Sequence, residues 1–446
     1  MDRRQFLKDS AIAAVGISVS PLAAGMEPAK KTSEVDHTGK LIISEPMLQN
    51  YAATSIGVAF AVSDMANGYV IYGTQPDLSD GKKVKCGGFR TTGMDDKVML
   101  VRVTGLKPST KYYYKIGADR IAYKGGYNMR IIGNEEQETI HSFITAGEGT
   151  EAHFCVVNDT HGHMDTLELL AKRIAELAPT CVVMNGDATN VQETIESEID
   201  IFLKPDISRK DYAADLPYLF CQGNHEQRGM AGRQLEKVWM FRQPEERDSK
   251  YWDLGRNFAV RLGDVAMIGL DTGEDKLDTN RHFAGLFANE EYRVLQTSWL
   301  EDALKQPEIA SAPHLVAICH IPLFDSRPDA NPGDVRPDDS DPKKYSSDYA
   351  YWQRTCAQMW GPLLEKAGCK VILTAHSHVY RYDKPDSTHR WAQIVGGGPD
   401  LSYDPKEPTF PTVMDVRTKG RKLVVDVYNA ISGKILDTYK FDPRKV

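Results

Sequence analysis

The sequence has no block of lysine or arginine. Its 54 basic residues are outnumbered by 62 acidic ones, for a formal net charge of −8. A nucleic-acid partner bound along a basic stripe is therefore not expected. No apolar run is long enough to make a comfortable membrane span. The seven cysteines are an odd number, and their spacing suggests no disulfide framework. Cys155, Cys181, Cys221 and Cys319 lie in apolar runs such as Phe154-Cys155-Val156-Val157, where cysteine serves as a small buried hydrophobe. There is no G-x-S-x-G elbow, which disfavours a serine hydrolase. No cysteine opens an anion-binding loop ending in arginine, which disfavours cysteine-based phosphatase chemistry. Gly396-Gly397-Gly398-Pro399 lacks the spacing of a dinucleotide loop and reads as a turn. Internal repeats and low-complexity tracts are absent.

What remains is ordinary soluble composition, 41% apolar and 26% charged, over a length that suggests two or three domains. Arg3 and Arg4 are followed by Phe6, Leu7 and Lys8, then by the weakly apolar stretch Ala11 to Ala24. This resembles a twin-arginine export signal, with Asp2 where Ser or Thr usually stands. Residues 1–25 are read as that signal, with Ala23, Ala24 and Gly25 offering a cleavage site, and residues 26–40 as a polar linker. A periplasmic or secreted location is the expectation.

From 41 to 147 the pattern is all-β. Short apolar runs at Ile56–Val62, Tyr69–Tyr72 and Val98–Val103 are separated by turn residues. Leu106, Pro108, Thr110 and Tyr112 resemble the loop-and-strand signature of fibronectin type III domains, in which the tyrosine hydroxyl meets nearby backbone at a sandwich corner. Such a domain carries no chemistry by itself. From 148 to 446 strand-like and helical runs alternate, as in a layered α/β domain. Strands are expected at Phe154–Asn158, Cys181–Met184, Tyr218–Cys221, Val265–Leu270, Leu315–Cys319 and Lys370–Leu373. Helices are expected at Thr166–Leu177, 289–305 and 352–366. Residues 325–350, rich in Asp and Pro, read as a long loop.

Several of these strands run into residues that bind metals: Asp159 and His161, Asp187, Asn224 and His225, His320, then His376 and His378. Ligands collect beyond the carboxyl ends of strands in α/β sheets. The donors are carboxylates, an amide and imidazoles without a thiolate, which suits Zn, Mn, Fe or related ions. A short Asp at a strand end can bridge two ions. Each piece alone is weak, since Asn-Gly-Asp is usually a turn and a surface His is usually solvated. The ordered series is what carries the reading.

That series, D-x-H, G-D, G-N-H-E, H and A-H-x-H, resembles the calcineurin-like metallophosphoesterase pattern over roughly residues 153–400. The upstream β domain is similar to that of purple acid phosphatases. The implied fold is an all-β sandwich followed by a metallophosphoesterase domain of two mixed sheets flanked by helices. The resemblance implies one ion held by Asp159, His161, Asp187 and His378, and a second held by Asp187, Asn224, His320 and His376. It implies His225 over the substrate phosphate as general acid, and hydrolysis of a phosphate monoester by a hydroxide held between the ions. A phosphodiesterase, or a non-catalytic binding protein of the same fold, are the competing readings. The acidic chain repels phosphate, so the ions would also supply the missing positive charge. The expected partner is a small phosphate ester. Asn224 and His225 are expected to touch it, whereas Arg228 reads either as a third contact or as a solvated arginine. Asp271 reads equally as support for a ligand or as a turn residue. Two departures stand out. Asn190 occupies the place of a ligand tyrosine in purple acid phosphatases, compensated by the added His161. Ala375 replaces the usual glycine before His376.

Overall fold

The computed structural model describes residues 38–87, 93–203, 213–241, 250–251, 254–324, 348–387, 389–402 and 409–445. The residues read as an export signal, most of those read as a linker, and residues 325–347 lie outside the described residues. Lys40–Val446 form one compact unit.

Alternation along the strands sets the layers. In His153–Val157, Cys181–Asn185 and Tyr218–Cys221, parallel neighbours in one sheet, the side chains Phe154, Val156, Cys181, Val183, Leu219 and Cys221 share one core. Their alternates Cys155, Val157, Val182, Met184, Tyr218 and Phe220 enter a second core with Leu167, Leu170 and Ile174 of the helix Met164–Leu177. This is the period of two expected of a strand, with both faces buried. A second sheet repeats the device. Val265–Leu270, His314–Cys319, Val371–Thr374 and Ala392–Val395 are parallel. Val265, Met267, Val316, Ile318, Val371 and Leu373 face the first sheet across the shared core. Ala266, Ile268, Leu315, Ala317 and Ile372 pack with Trp299 and Leu300 of the helix Asn289–Ala303 and with Trp360 and Leu364 of the helix Asp348–Lys366. Each fully buried Leu or Ile stabilises these layers by roughly 1.5–3 kcal/mol. The molecule is thus a two-sheet α/β sandwich with helices outside, preceded by an all-β region.

The expected strands and helices lie within a few residues of those found. Asp348–Lys366 begins earlier than the sequence pattern indicated, so the last three residues assigned to the long loop are helical. The antiparallel meander Thr412–Lys419, Lys422–Asn429 and Ile435–Phe441 was not anticipated, and it extends the first sheet beyond His153–Val157.

In the all-β region, Lys107 N donates to the Tyr112 hydroxyl at 3.0 Å, and Leu106 and Tyr112 are both buried. The corner read from those residues therefore forms. The first sheet does not stop at the α/β layers: Met47–Gln49 pairs with Tyr218–Cys221 at Gln49↔Tyr218 and leads on to Ser55–Ala61 and Val98–Thr104. Among the described residues no helix is long and apolar enough to cross a membrane.

Candidate metal centre

The parallel strands of both sheets deliver their carboxyl ends to one place. There the seven residues expected as ligands converge in two groups that share Asp187. In one, donor atoms of Asp159, His161, Asp187 and His378 lie within 4.8 Å of one another; in the other, so do those of Asp187, His320 and His376. Asn224 Oδ1 joins the second, 3.0 Å from His376 Nδ1. Asp159 Oδ1 lies 3.3 Å from His378 Nε2 and 3.7 Å from His161 Nε2. Asp187 Oδ2 lies 3.1 Å from His320 Nε2 and 3.7 Å from His161 Nε2.

Backbone strain concentrates at the same positions. Asp159, His161, Asp187, His376 and His378 all have φ between 47° and 66°, five of the nine non-glycine residues with positive φ among those described. Side chains other than glycine avoid this region, and it persists only where the surroundings enforce it. The surroundings are hydrogen-bonded turns. His161 N donates to Asp187 O at 2.8 Å, Asp159 N donates to Gly186 O at 3.0 Å, and Ala375 N donates to His320 O at 2.8 Å. Ala375 itself is not at positive φ, so the absent glycine costs no conformation there.

Neighbours aim the carboxylates. Asn158 Nδ2 donates to Asp159 Oδ2 at 2.7 Å and to Gly397 O at 2.7 Å, and His376 N donates to Asp159 Oδ2 at 3.0 Å. The glycine-rich turn thus packs against the site. His225 N donates to Asp187 Oδ1 at 3.0 Å. Buried Glu226 spans the turns behind them: Oε2 accepts from Asp187 N at 3.0 Å and Gly223 N at 2.8 Å, and Oε1 accepts from Thr189 N at 3.1 Å. A Cβ on Gly223 would collide with Asp187, which accounts for the glycine at that step.

Among the buried atoms of the described residues without a hydrogen bond are Asp159 Oδ1 and His320 Nε2. Both point into the groups just described, where a cation would satisfy them. The donor set and these orphaned atoms fit a pair of divalent or trivalent ions. Charge follows the same logic. Burial alone would raise the Asp159 carboxyl, but His320, His161 and His378 outweigh it and hold the group well below the usual range. Burial opposes charge on His320 as well, yet Asp187 and Asp159 push it up to about 10. His376 is pulled down to about 4 by burial and by the charge on His320.

His225 stands beside the groups, its ring 4.7 Å from that of His161. Nδ1 lies 2.9 Å from Asn190 O, Nε2 lies 3.0 Å from Arg228 Nη1, and burial lowers its pKa. Asn190 thus serves through its backbone rather than as a side-chain ligand. Arg228 is not the solvated arginine that was one of its two readings: it is held by Glu274, with Nε at 3.0 Å and Nη2 at 2.7 Å from its carboxylate oxygens. Asp271 accepts from Gly273 N at 2.9 Å and from the Tyr292 hydroxyl at 3.1 Å, so it braces its own turn. Sequence reasoning gave no role to Asn158 and Glu226, although both sit inside the ligand motifs. It missed Glu274 and Asp275, which follow the strand by several residues and carry no motif.

A family model described as calcineurin-like phosphoesterase matches residues 152–380. Among solved structures, the chain is similar to the purple acid phosphatase PPD1 from yellow lupin (Lupinus luteus) seeds, at 15% identity and a TM-score of 0.59, covering 89% of this chain and 74% of that one. It is also similar to PhoD, at 12% identity and a TM-score of 0.54, covering 90% of this chain and 92% of that one. At these identities the likeness is one of fold. No curated protein matches the chain at a significant level.

Proposed function

The chain belongs to the calcineurin-like phosphoesterase family and is a metal-dependent phosphoric ester hydrolase, and from that premise we propose that it is exported and hydrolyses small phosphate monoesters at a dinuclear centre. The observation that carries the reading is the convergence of seven donor side chains on two groups sharing Asp187, with Asp159 Oδ1 and His320 Nε2 left unbonded inside them. Asp159, His161, Asp187 and His378 would hold one ion, and Asp187, Asn224, His320 and His376 the other, with Fe, Zn and Mn all compatible with the donors. When bound, such a pair supplies a hydroxide near neutral pH and neutralises phosphoryl charge.

The chain's own groups do the rest. Asn158 and Glu226 fix the carboxylates, so that the free oxygens stay aimed. Asn190 O accepts from His225 Nδ1, and Nε2, on the other side of the ring, faces Arg228 Nη1. To act as general acid, the ring would first take a proton from solvent onto Nε2 and then pass it to the leaving oxygen, a contribution of about 10²–10⁴-fold for a positioned general acid. Export rests on the Arg3-Arg4 motif and the apolar stretch after it, and it would place the enzyme in the periplasm or outside the cell.

The test is metal analysis of the folded protein, with hydrolysis of p-nitrophenyl phosphate and bis-p-nitrophenyl phosphate measured under added Mn, Zn and Fe. Two equivalents of metal and faster monoester turnover support the proposal. One equivalent or none sinks the dinuclear centre, and faster diester turnover makes the enzyme a phosphodiesterase.

A further inference from the structure

The turn after the strand Val265–Leu270 carries two carboxylates that no ligand motif accounts for. Glu274 is fully buried, and both its oxygens take the Arg228 fork, Nε at 3.0 Å and Nη2 at 2.7 Å. Asp275 Oδ1 lies 3.4 Å from Nη2, and Asp275 Oδ2 lies 3.7 Å from His376 Nε2, beside the second ligand group. Nη1 is the guanidinium nitrogen left over, and it faces His225 Nε2 at 3.0 Å.

The turn is itself fixed. Buried Arg293, on the helix Asn289–Ala303, donates through Nε to Thr272 O at 3.1 Å and through Nη2 to Glu274 O. Gly273 has φ +64°, and a Cβ there would meet Asn289 Oδ1. A line of contacts therefore runs from a helix, through the turn and Glu274, to Arg228 and His225. Lys276 pairs with Asp275. A bidentate arginine held this way is a preorganised donor rather than a mobile charge.

We infer that Arg228, held by Glu274 and Asp275, binds the phosphoryl oxygen that a metal pair leaves uncovered, and so selects monoesters over diesters. The inference rests on the hydrolase reading above. Charge in phosphoryl transfer spreads over three equatorial oxygens, and two ions can take two of them. A monoester presents a third non-bridging oxygen, which needs a donor. A diester presents an uncharged ester oxygen at that point, a far weaker acceptor for a guanidinium. Arg228 Nη1 stands beside His225, where this oxygen is expected. Arg228 is the specificity residue, and Glu274 is a positioning residue that acts through it.

The test uses the metal-loaded full chain, with Arg228→Ala, Arg228→Lys and Glu274→Gln. Inorganic phosphate binding is measured by calorimetry, and kcat/KM is measured for the two p-nitrophenyl esters. Arg228→Ala is expected to weaken phosphate binding about 10- to 100-fold, the range for one charge-assisted pair. Monoester kcat/KM should fall by a similar factor while diester kcat/KM changes less than about threefold. Glu274→Gln should shift both readouts in the same direction by a smaller factor, and Arg228→Lys should not restore the monoester preference. Phosphate affinity within twofold of wild type in Arg228→Ala, or equal losses on both esters, overturns the inference. If the wild type hydrolyses neither ester but Arg228→Ala still loses phosphate binding, the hydrolase reading fails and the clamp stands.

Discussion

The two ring nitrogens of His225 face different partners, Asn190 O and Arg228 Nη1, and the ring is not one of the proposed ligands. His225→Ala should therefore keep its metals and lose turnover, by about 10²–10⁴-fold on an ester with a poor leaving group. Metal analysis beside steady-state kinetics decides this, and full activity on such an ester would remove the acid role. His320 makes a different prediction. Its pKa is raised to about 10 by Asp187 and Asp159 against the opposing effect of burial, so in the metal-free protein it carries a proton at pH 7.5. The stability that this proton lends is fully present below the free histidine value of about 6.5 and is lost as pH rises through about 10. A metal ligand must be neutral, so loading expels the proton and affinity rises with pH through the same window. Calorimetry at pH 7.5 in two buffers of different ionisation enthalpy should show at least one proton released. Heats that do not depend on the buffer would contradict it.

At the scale of the element, the strand-end turns matter more than the strands. Asp187, Gly223 and Thr189 belong to two turns, and their backbone N–H groups meet on the single carboxylate of Glu226. Both burial and the nearby Asp187 raise its pKa, so the backbone donors and packing are what keep it in place. Glu226→Gln turns one acceptor into a donor that faces donors. It should lower stability by about 2–3 kcal/mol and weaken metal binding about 10- to 100-fold, as loss of a ligand's support typically does. Denaturant midpoints and metal titrations would measure the two effects, and a change in neither would show that the turns hold their shape without it.

Over the whole molecule, the first sheet runs from the meander Thr412–Phe441 through His153–Val157, Cys181–Asn185 and Tyr218–Cys221 to Val98–Thr104. One core contains Val58, Tyr112, Val156, Leu219 and Met267 together. The all-β region and the α/β layers thus share backbone hydrogen bonds and apolar contacts across residue 147, where the sequence pattern changes. The metal-free chain should then unfold in one calorimetric transition rather than two. Two well-separated transitions, or a stable fragment beginning at residue 148, would show that the regions are energetically independent.

The sequence by itself determined the elements, the order of the candidate ligands and the family they resemble. Strand period and the residues at strand ends are local properties, and the chain spells them in order from Asp159 to His378. It also foretold the corner at Tyr112. It did not disclose which residues serve the ligands from behind. Glu226 and Asn158 act by meeting backbone groups from other turns, and Glu274 reaches Arg228 across 46 positions of chain. Nor did it disclose that Gln49 pairs with Tyr218, or that five of the seven candidate ligand positions lie in left-handed backbone. These features depend on distances between segments that only the packed sheets bring together. No periodicity encodes them, because a hydrogen bond between turns leaves no repeat in the sequence.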